Sequence, residues 1–124
     1  MIYVDNAATT KMSQAALAEM QTCFEDLWGN PSSLYAVGQK AAEALWLARE
    51  RIAACIGASP KEIYFTSGGS ESDNQAIISA ATNGERKGKK HIISTMIEHH
   101  AVLHTLRKLA KQGFDVELLQ PLSN

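Results

Sequence analysis

From Glu62 to Leu119 the chain alternates between short β-forming runs and stretches long enough to be helices. This rhythm restricts the fold more than any other feature of its 124 residues. The β-rich runs are Glu62-Ile63-Tyr64-Phe65-Thr66, His91-Ile92-Ile93-Ser94-Thr95-Met96 and Asp115-Val116-Glu117-Leu118-Leu119. Between the first two, Ala76, Ile77, Ala80 and Ala81 recur at helical spacing up to Asn83-Gly84. Between the last two, Val102, Leu103, Leu106, Leu109 and Ala110 point inward from a helix that stops at Gly113. Strands joined by helical crossovers lie parallel, with right-handed connections and helices over the sheet. The predicted fold class is α/β.

Residues 1–57 form a different region, an extended start followed by helices. Ser13 is placed to cap a helix carrying Leu17, Met20, Phe24 and Leu27 at 3-4-3 spacing. Trp28-Gly29-Asn30-Pro31-Ser32-Ser33 breaks it, and a longer helix with Ala41, Leu45, Ala48, Ile52 and Ile56 on one face ends at Gly57. Residues 58–124 then begin the sheet domain. Three parallel strands leave faces and edges bare, so this domain is expected to be incomplete, running out at Pro121-Leu122-Ser123-Asn124.

A formal net charge of −1 gives no reason to expect nucleic acid or an anionic membrane as partner. The basic run Arg86-Lys87-Gly88-Lys89-Lys90 falls at a helix-to-strand junction and reads as a solvated loop. No apolar stretch reaches the length of a bilayer span, and Met1-Ile2-Tyr3-Val4 runs directly into Asp5-Asn6 without a signal-peptide pattern. Cys23 and Cys55 fall on apolar helix faces and are expected as buried free thiols, fitting a reducing cytoplasm.

The strongest chemical signal is Thr66-Ser67-Gly68-Gly69-Ser70-Glu71-Ser72-Asp73-Asn74, between a strand and a helix. A helix start offers free N–H groups and partial positive charge, two glycines admit a ligand to the backbone, and Ser70 adds a hydroxyl donor. Together these suit a phosphate. The same residues also suit a tight turn with Ser70 as N-cap and Asp73 completing a capping-box-like pair. Neither a Walker loop nor a dinucleotide fingerprint is present. Glu98-His99-His100-Ala101-Val102 follows the second strand, at the carboxyl end where open α/β sheets bind ligands. An imidazole there can stack on a flat ring or shuttle a proton, or simply start a helix. His100 and His104 have the i,i+4 spacing of a zinc pair, but no paired cysteine or second ligand motif accompanies them. Asp5-Asn6-Ala7-Ala8-Thr9-Thr10, compact and barely charged, fits either a turn or a segment packed on a site.

Tyr3-Val4 with Asp5–Thr10, Gly29-Asn30-Pro31-Ser32-Ser33, the Thr66–Asn74 segment and Glu98–Val102 occur in this order in cysteine desulfurases. The whole chain resembles the nitrogen-fixation and iron–sulfur-cluster members of that family. The resemblance implies the N-terminal portion of a fold-type I, pyridoxal-phosphate-dependent transferase, homodimeric when full length. Such enzymes convert L-cysteine to L-alanine and pass the sulfur, as an enzyme persulfide, to an acceptor or scaffold protein. It further implies that Gly69 and Ser70 bind the cofactor phosphate. Ser70 stands where the family usually has threonine, keeping the hydroxyl. His99 matches the family's catalytic histidine, which stacks on the pyridine ring and takes part in proton transfer; ring contacts of this kind contribute about 1 kcal/mol.

The family's Schiff-base lysine, pyridine-nitrogen aspartate, substrate arginine and persulfide cysteine match no residue here, and no lysine lies in a Ser-x-His-Lys pattern. The chain alone is therefore expected to lack turnover, since the cofactor's reactive atom needs both holding and tuning. Other readings are a different class V aminotransferase-like enzyme, such as a selenocysteine lyase or transaminase, and a non-catalytic module that binds a phosphorylated ligand or a full-length desulfurase.

Overall fold

The computed structural model describes residues 2–122; Met1, Ser123 and Asn124, which open and close runs read above, lie outside the described residues. In chain order the elements are α1 (Gln14–Asp26), α2 (Ala36–Ile56), a 3-10 turn (Pro60–Glu62), α3 (Gly69–Glu85), β1 (His91–Thr95), α4 (His100–Lys111) and β2 (Asp115–Leu119). They form two compact units, divided between Tyr64 and Phe65. No helix among the described residues is long and apolar enough to cross a membrane.

The first unit is helical. Near its start the Asp5 carbonyl and carboxylate both accept the Ala8 N–H, making Asp5–Thr10 an exposed turn. Ser13 caps α1 as its position predicts, Oγ accepting the Ala16 N–H at 3.1 Å. No residue of α1 is buried, and Phe24 is 75% exposed. Asn30 then turns the chain, its Oδ1 accepting the Ser32 N–H at 2.9 Å and its carbonyl the Ser33 N–H at 3.0 Å. The turn and α2 approach so closely that a Cβ on Gly38 would sit 2.5 Å from the Asn30 oxygen. A Cβ on Gly29 would sit 2.4 Å from the Val37 oxygen. Helix α2 closes at Gly57, in the left-handed conformation at φ 66°.

Two expectations for this unit are corrected. Of the predicted α2 face only Ala41 is buried, joined by Gly38 and Ala53, while Ile52 and Ile56 are exposed. Cys23 and Cys55 are free and exposed rather than buried. Periodicity identifies an apolar face but not what covers it: Cys23 borders an open hollow shared with Leu27, Ala41, Leu45 and Ala48.

In the second unit β1 and β2 pair in parallel, in register from His91 opposite Asp115 to Thr95 opposite Leu119, with α4 as the crossover. Ala81, Leu109 and Phe114 form a small core, against which Ile77, Ile92 and Val116 pack. Ala110, expected inward, is exposed, because one residue past Leu109 turns it about 100° off the buried stripe. Helix α3 runs past Asn83-Gly84 to Glu85, and the basic run follows as an exposed loop with Gly88 at φ 73°.

The fold class is α/β, but Glu62–Thr66 is not a strand of the sheet, which has two strands among the described residues. Ile63 is extended (φ −93°, ψ 121°), yet its carbonyl accepts the Arg49 Nε–H at 3.2 Å instead of joining a ladder. β-forming side chains make a strand only beside a neighbouring backbone. Glu62 is instead committed to the 3-10 turn, its carboxylate accepting the Ser59 N–H at 2.7 Å.

Candidate functional site

The site is built on the starts of α3 and α4. Gly68 is the N-cap of α3 and has no side chain to turn back on the helix. The first helical bond runs from the Ser72 N–H to the Gly68 carbonyl at 3.2 Å. The N–H groups of Gly69, Ser70 and Glu71 therefore have no acceptor among the described residues, nor does the exposed Ser70 hydroxyl make a hydrogen bond there. A Cβ placed on Gly68 or Gly69 meets nothing within 4 Å, so this face of the turn is open.

Side chains on either side of the open face hydrogen-bond the turn. Thr66 Oγ1 lies 2.7 Å from Ser72 Oγ and donates toward the Gly68 carbonyl at 3.2 Å. The Ser67 N–H and hydroxyl both donate to one oxygen of Glu71, at 2.7 and 2.6 Å. These two bonds, the hydroxyl foremost, hold the Glu71 carboxyl below the usual glutamate range. The capping pattern read from sequence is corrected here. Gly68 is the cap, Ser70 is the second helical residue, and the carboxylate reaching back is Glu71, not Asp73. The helix starts earlier because Thr66, Ser67 and Ser72 already satisfy the turn.

His99 is the N-cap of α4, just past the carboxyl end of β1. Its Nδ1 accepts the Ala101 N–H at 3.1 Å, so the neutral ring carries its proton on Nε2. The ring is exposed and meets His100 edge-on at 6.2 Å between centroids; His100 and His104 meet similarly at 5.7 Å. Among the described residues no cluster of three His, Cys, Asp or Glu side chains could hold a metal ion.

Asn74, which closes the glycine segment but was given no role from sequence, and Thr105, which sequence reasoning missed, connect the two helix starts. Asn74 Nδ2 donates to the Ser70 carbonyl at 2.7 Å, and its Oδ1 accepts the Thr105 hydroxyl at 2.6 Å. Gly69, Ser70 and His99 are thus brought to one end of the second unit, on neighbouring helices. A cleft of about 310 Å³ bordered by Ile77, Ala81, Ile92, Leu106 and Phe114 includes neither the glycine turn nor His99; it is a gap along the core. The open N–H groups suit an anion such as phosphate, and the imidazole offers a flat face.

Known proteins share this arrangement of sequence and fold. A cysteine desulfurase IscS from Clostridium botulinum is 49% identical over 118 residues, which cover 95% of this chain and 30% of that relative. Among solved structures, a NifS-like protein superposes with a TM-score of 0.87 at 40% identity, over 95% of this chain and 32% of its own. SspA, solved in complex with cysteine, gives 0.85 at 42% identity, over 96% of this chain and 34% of its own. The chain spans about 30% of the length of the curated relatives it matches. Since the family model matches residues 2–124, taking in both the glycine turn and His99, the chain belongs to the aminotransferase class-V family.

Proposed function

We propose that this chain supplies the phosphate-holding and ring-contacting part of a pyridoxal-phosphate-dependent cysteine desulfurase. Residues 58–124 begin the cofactor-binding domain, and residues 1–57 are an N-terminal extended segment and helices. The observation that carries this reading is the pairing of an open, donor-rich helix start with a second one led by His99. Relatives called cysteine desulfurases at 49% identity, and a neighbour solved with cysteine, support it.

The backbone N–H groups of Gly69 and Ser70, with the Ser70 hydroxyl, donate to phosphate oxygens at the positive end of α3. The missing side chains of Gly68 and Gly69 allow that approach: a methyl group would occupy the open face. His99 lays its ring against the cofactor ring. With Nδ1 engaged by the Ala101 N–H, the proton available for transfer is the one on Nε2. Pyridoxal phosphate, when bound, supplies an electron sink for the substrate's Cα. In the full-length homodimer, placed in the cytoplasm, the substrate is L-cysteine and the products are L-alanine and an enzyme persulfide. An acceptor or scaffold protein then takes the sulfur.

Titrating the purified chain with pyridoxal phosphate by absorbance, followed by borohydride reduction and mass spectrometry, tests the reading. Saturable binding without a specific lysine adduct is expected. Gly69→Ala should weaken both pyridoxal phosphate and inorganic phosphate while leaving far-UV circular dichroism unchanged. No saturable binding, or binding indifferent to Gly69→Ala, refutes the assignment.

A further inference from the structure

We infer that Asn74 and Thr105 are positioning residues that keep His99 in register with the glycine turn. The inference rests on the phosphate and ring roles proposed for those two places. Asn74 lies one turn into α3 and reaches in both directions. Its Nδ2 donates to the Ser70 carbonyl at 2.7 Å and more weakly to the Ala101 carbonyl at 3.5 Å, while Oδ1 accepts from Thr105 at 2.6 Å. The amide orientation is fixed, because flipping it would press Oδ1 against the Ser70 carbonyl oxygen. Thr105 is only 3% exposed, and its single hydroxyl proton is shared between Asn74 Oδ1 and the Ala101 carbonyl at 2.8 Å.

Ala101 completes the connection, since its N–H is the group that holds His99 Nδ1. A continuous path therefore runs from Ser70 through Asn74 and Thr105 to Ala101 and the imidazole. The Asn74–Thr105 and Thr105–Ala101 links at its centre are partly buried, where a lost partner is expensive to replace with water, while the Ser70 and His99 ends are exposed. A ligand bridging the turn and the ring face needs both in fixed relation; inorganic phosphate needs only the turn. Neither Asn74 nor Thr105 touches the open face itself.

That difference gives the test. In the 15N-labelled chain, the His99 ring nitrogens report the Nδ1-acceptor tautomer, and the Ala101 amide reports hydrogen exchange. Thr105→Val, which keeps shape and removes the hydroxyl, should average the tautomer signals and speed Ala101 exchange. It should weaken pyridoxal phosphate about fivefold, the size of one net hydrogen bond, and leave inorganic phosphate affinity unchanged. Thr105→Ser should restore all three. Asn74→Ala, at a less buried position, should reproduce the His99 signature and decides the matter if Thr105→Val does not fold. Folded variants with an unchanged His99 signature and an unchanged ratio of the two affinities overturn the inference. If the wild-type chain binds no pyridoxal phosphate, the proposed function fails, and the tautomer and exchange measurements still decide the positioning role.

Discussion

Gly38→Ala is the substitution whose outcome the structure constrains most. In an open helix interior, glycine to alanine stabilises by about 1 kcal/mol. At Gly38 the new methyl would lie 2.5 Å from the Asn30 oxygen and 2.6 Å from the Ser33 Cβ. Comfortable carbon contacts begin near ~3.5 Å, so the gap must widen by about 1 Å. Neither partner is a flexible side-chain tip. The Asn30 carbonyl is held by the Ser33 N–H, and retreat of α2 is limited by Gly29 seated against Val37. Overpacking of this kind costs about 1–3 kcal/mol, here toward the upper end. Subtracting the helix gain leaves a net loss of about 1–2 kcal/mol, which lowers the melting temperature by about 5–10 °C in a unit of this size. Tryptophan fluorescence is the natural assay, because the two tryptophans, Trp28 and Trp46, both lie in the first unit. An unchanged or raised midpoint would refute the close-approach argument and leave helix propensity as the deciding term.

Two further outcomes follow from the second unit. Leu109→Ala removes a side chain that is 3% exposed and packed with Ala81 and Phe114, and should destabilise by about 2–4 kcal/mol; faster hydrogen exchange of the β1 and β2 amides checks it, and unaltered exchange contradicts the assigned core. Because Ser67 holds the folded-state Glu71 carboxyl below its ordinary value, the stabilisation is complete above about pH 4.3 and is lost as pH falls through the folded-state value. The start of α3 should loosen in acid, and Glu71→Gln should remove that pH dependence in the exchange of the Ser67 and Ser72 amides; a wild-type profile in the variant would sink the assignment.

Much of this was legible from local chemistry. Ser13 and Gly57 mark helix ends because a capping hydroxyl and a left-handed glycine act within a few residues. The β1–α4–β2 unit follows from hydrophobic period, and Gly69, Ser70 and His99 stand out by chemistry at helix starts. The signal for the 3-10 turn was also present, since Ser59-Pro60-Lys61-Glu62 has capping-box spacing, but the β-forming Ile63-Tyr64-Phe65 run masked it. What stayed hidden depends on distance along the chain. The Asn74–Thr105 bond joins residues 31 positions apart, and no spacing rule encodes it. The exposure of Cys23 and Cys55 depends on coverage, which no periodicity contains.

The buried apolar residues also shape how this chain responds to heat. Among the described residues they are Ala41, Ala53, Ala81, Leu106, Leu109 and Phe114, half of them alanines. Unfolding therefore hydrates little new hydrocarbon, and its heat-capacity increment should fall below the ~12–15 cal/mol/K per residue of well-filled domains. A small increment flattens the stability curve, and the correspondingly small enthalpy broadens the calorimetric transition. In such a chain each kcal/mol gained or lost moves the midpoint further than it would in a densely filled one.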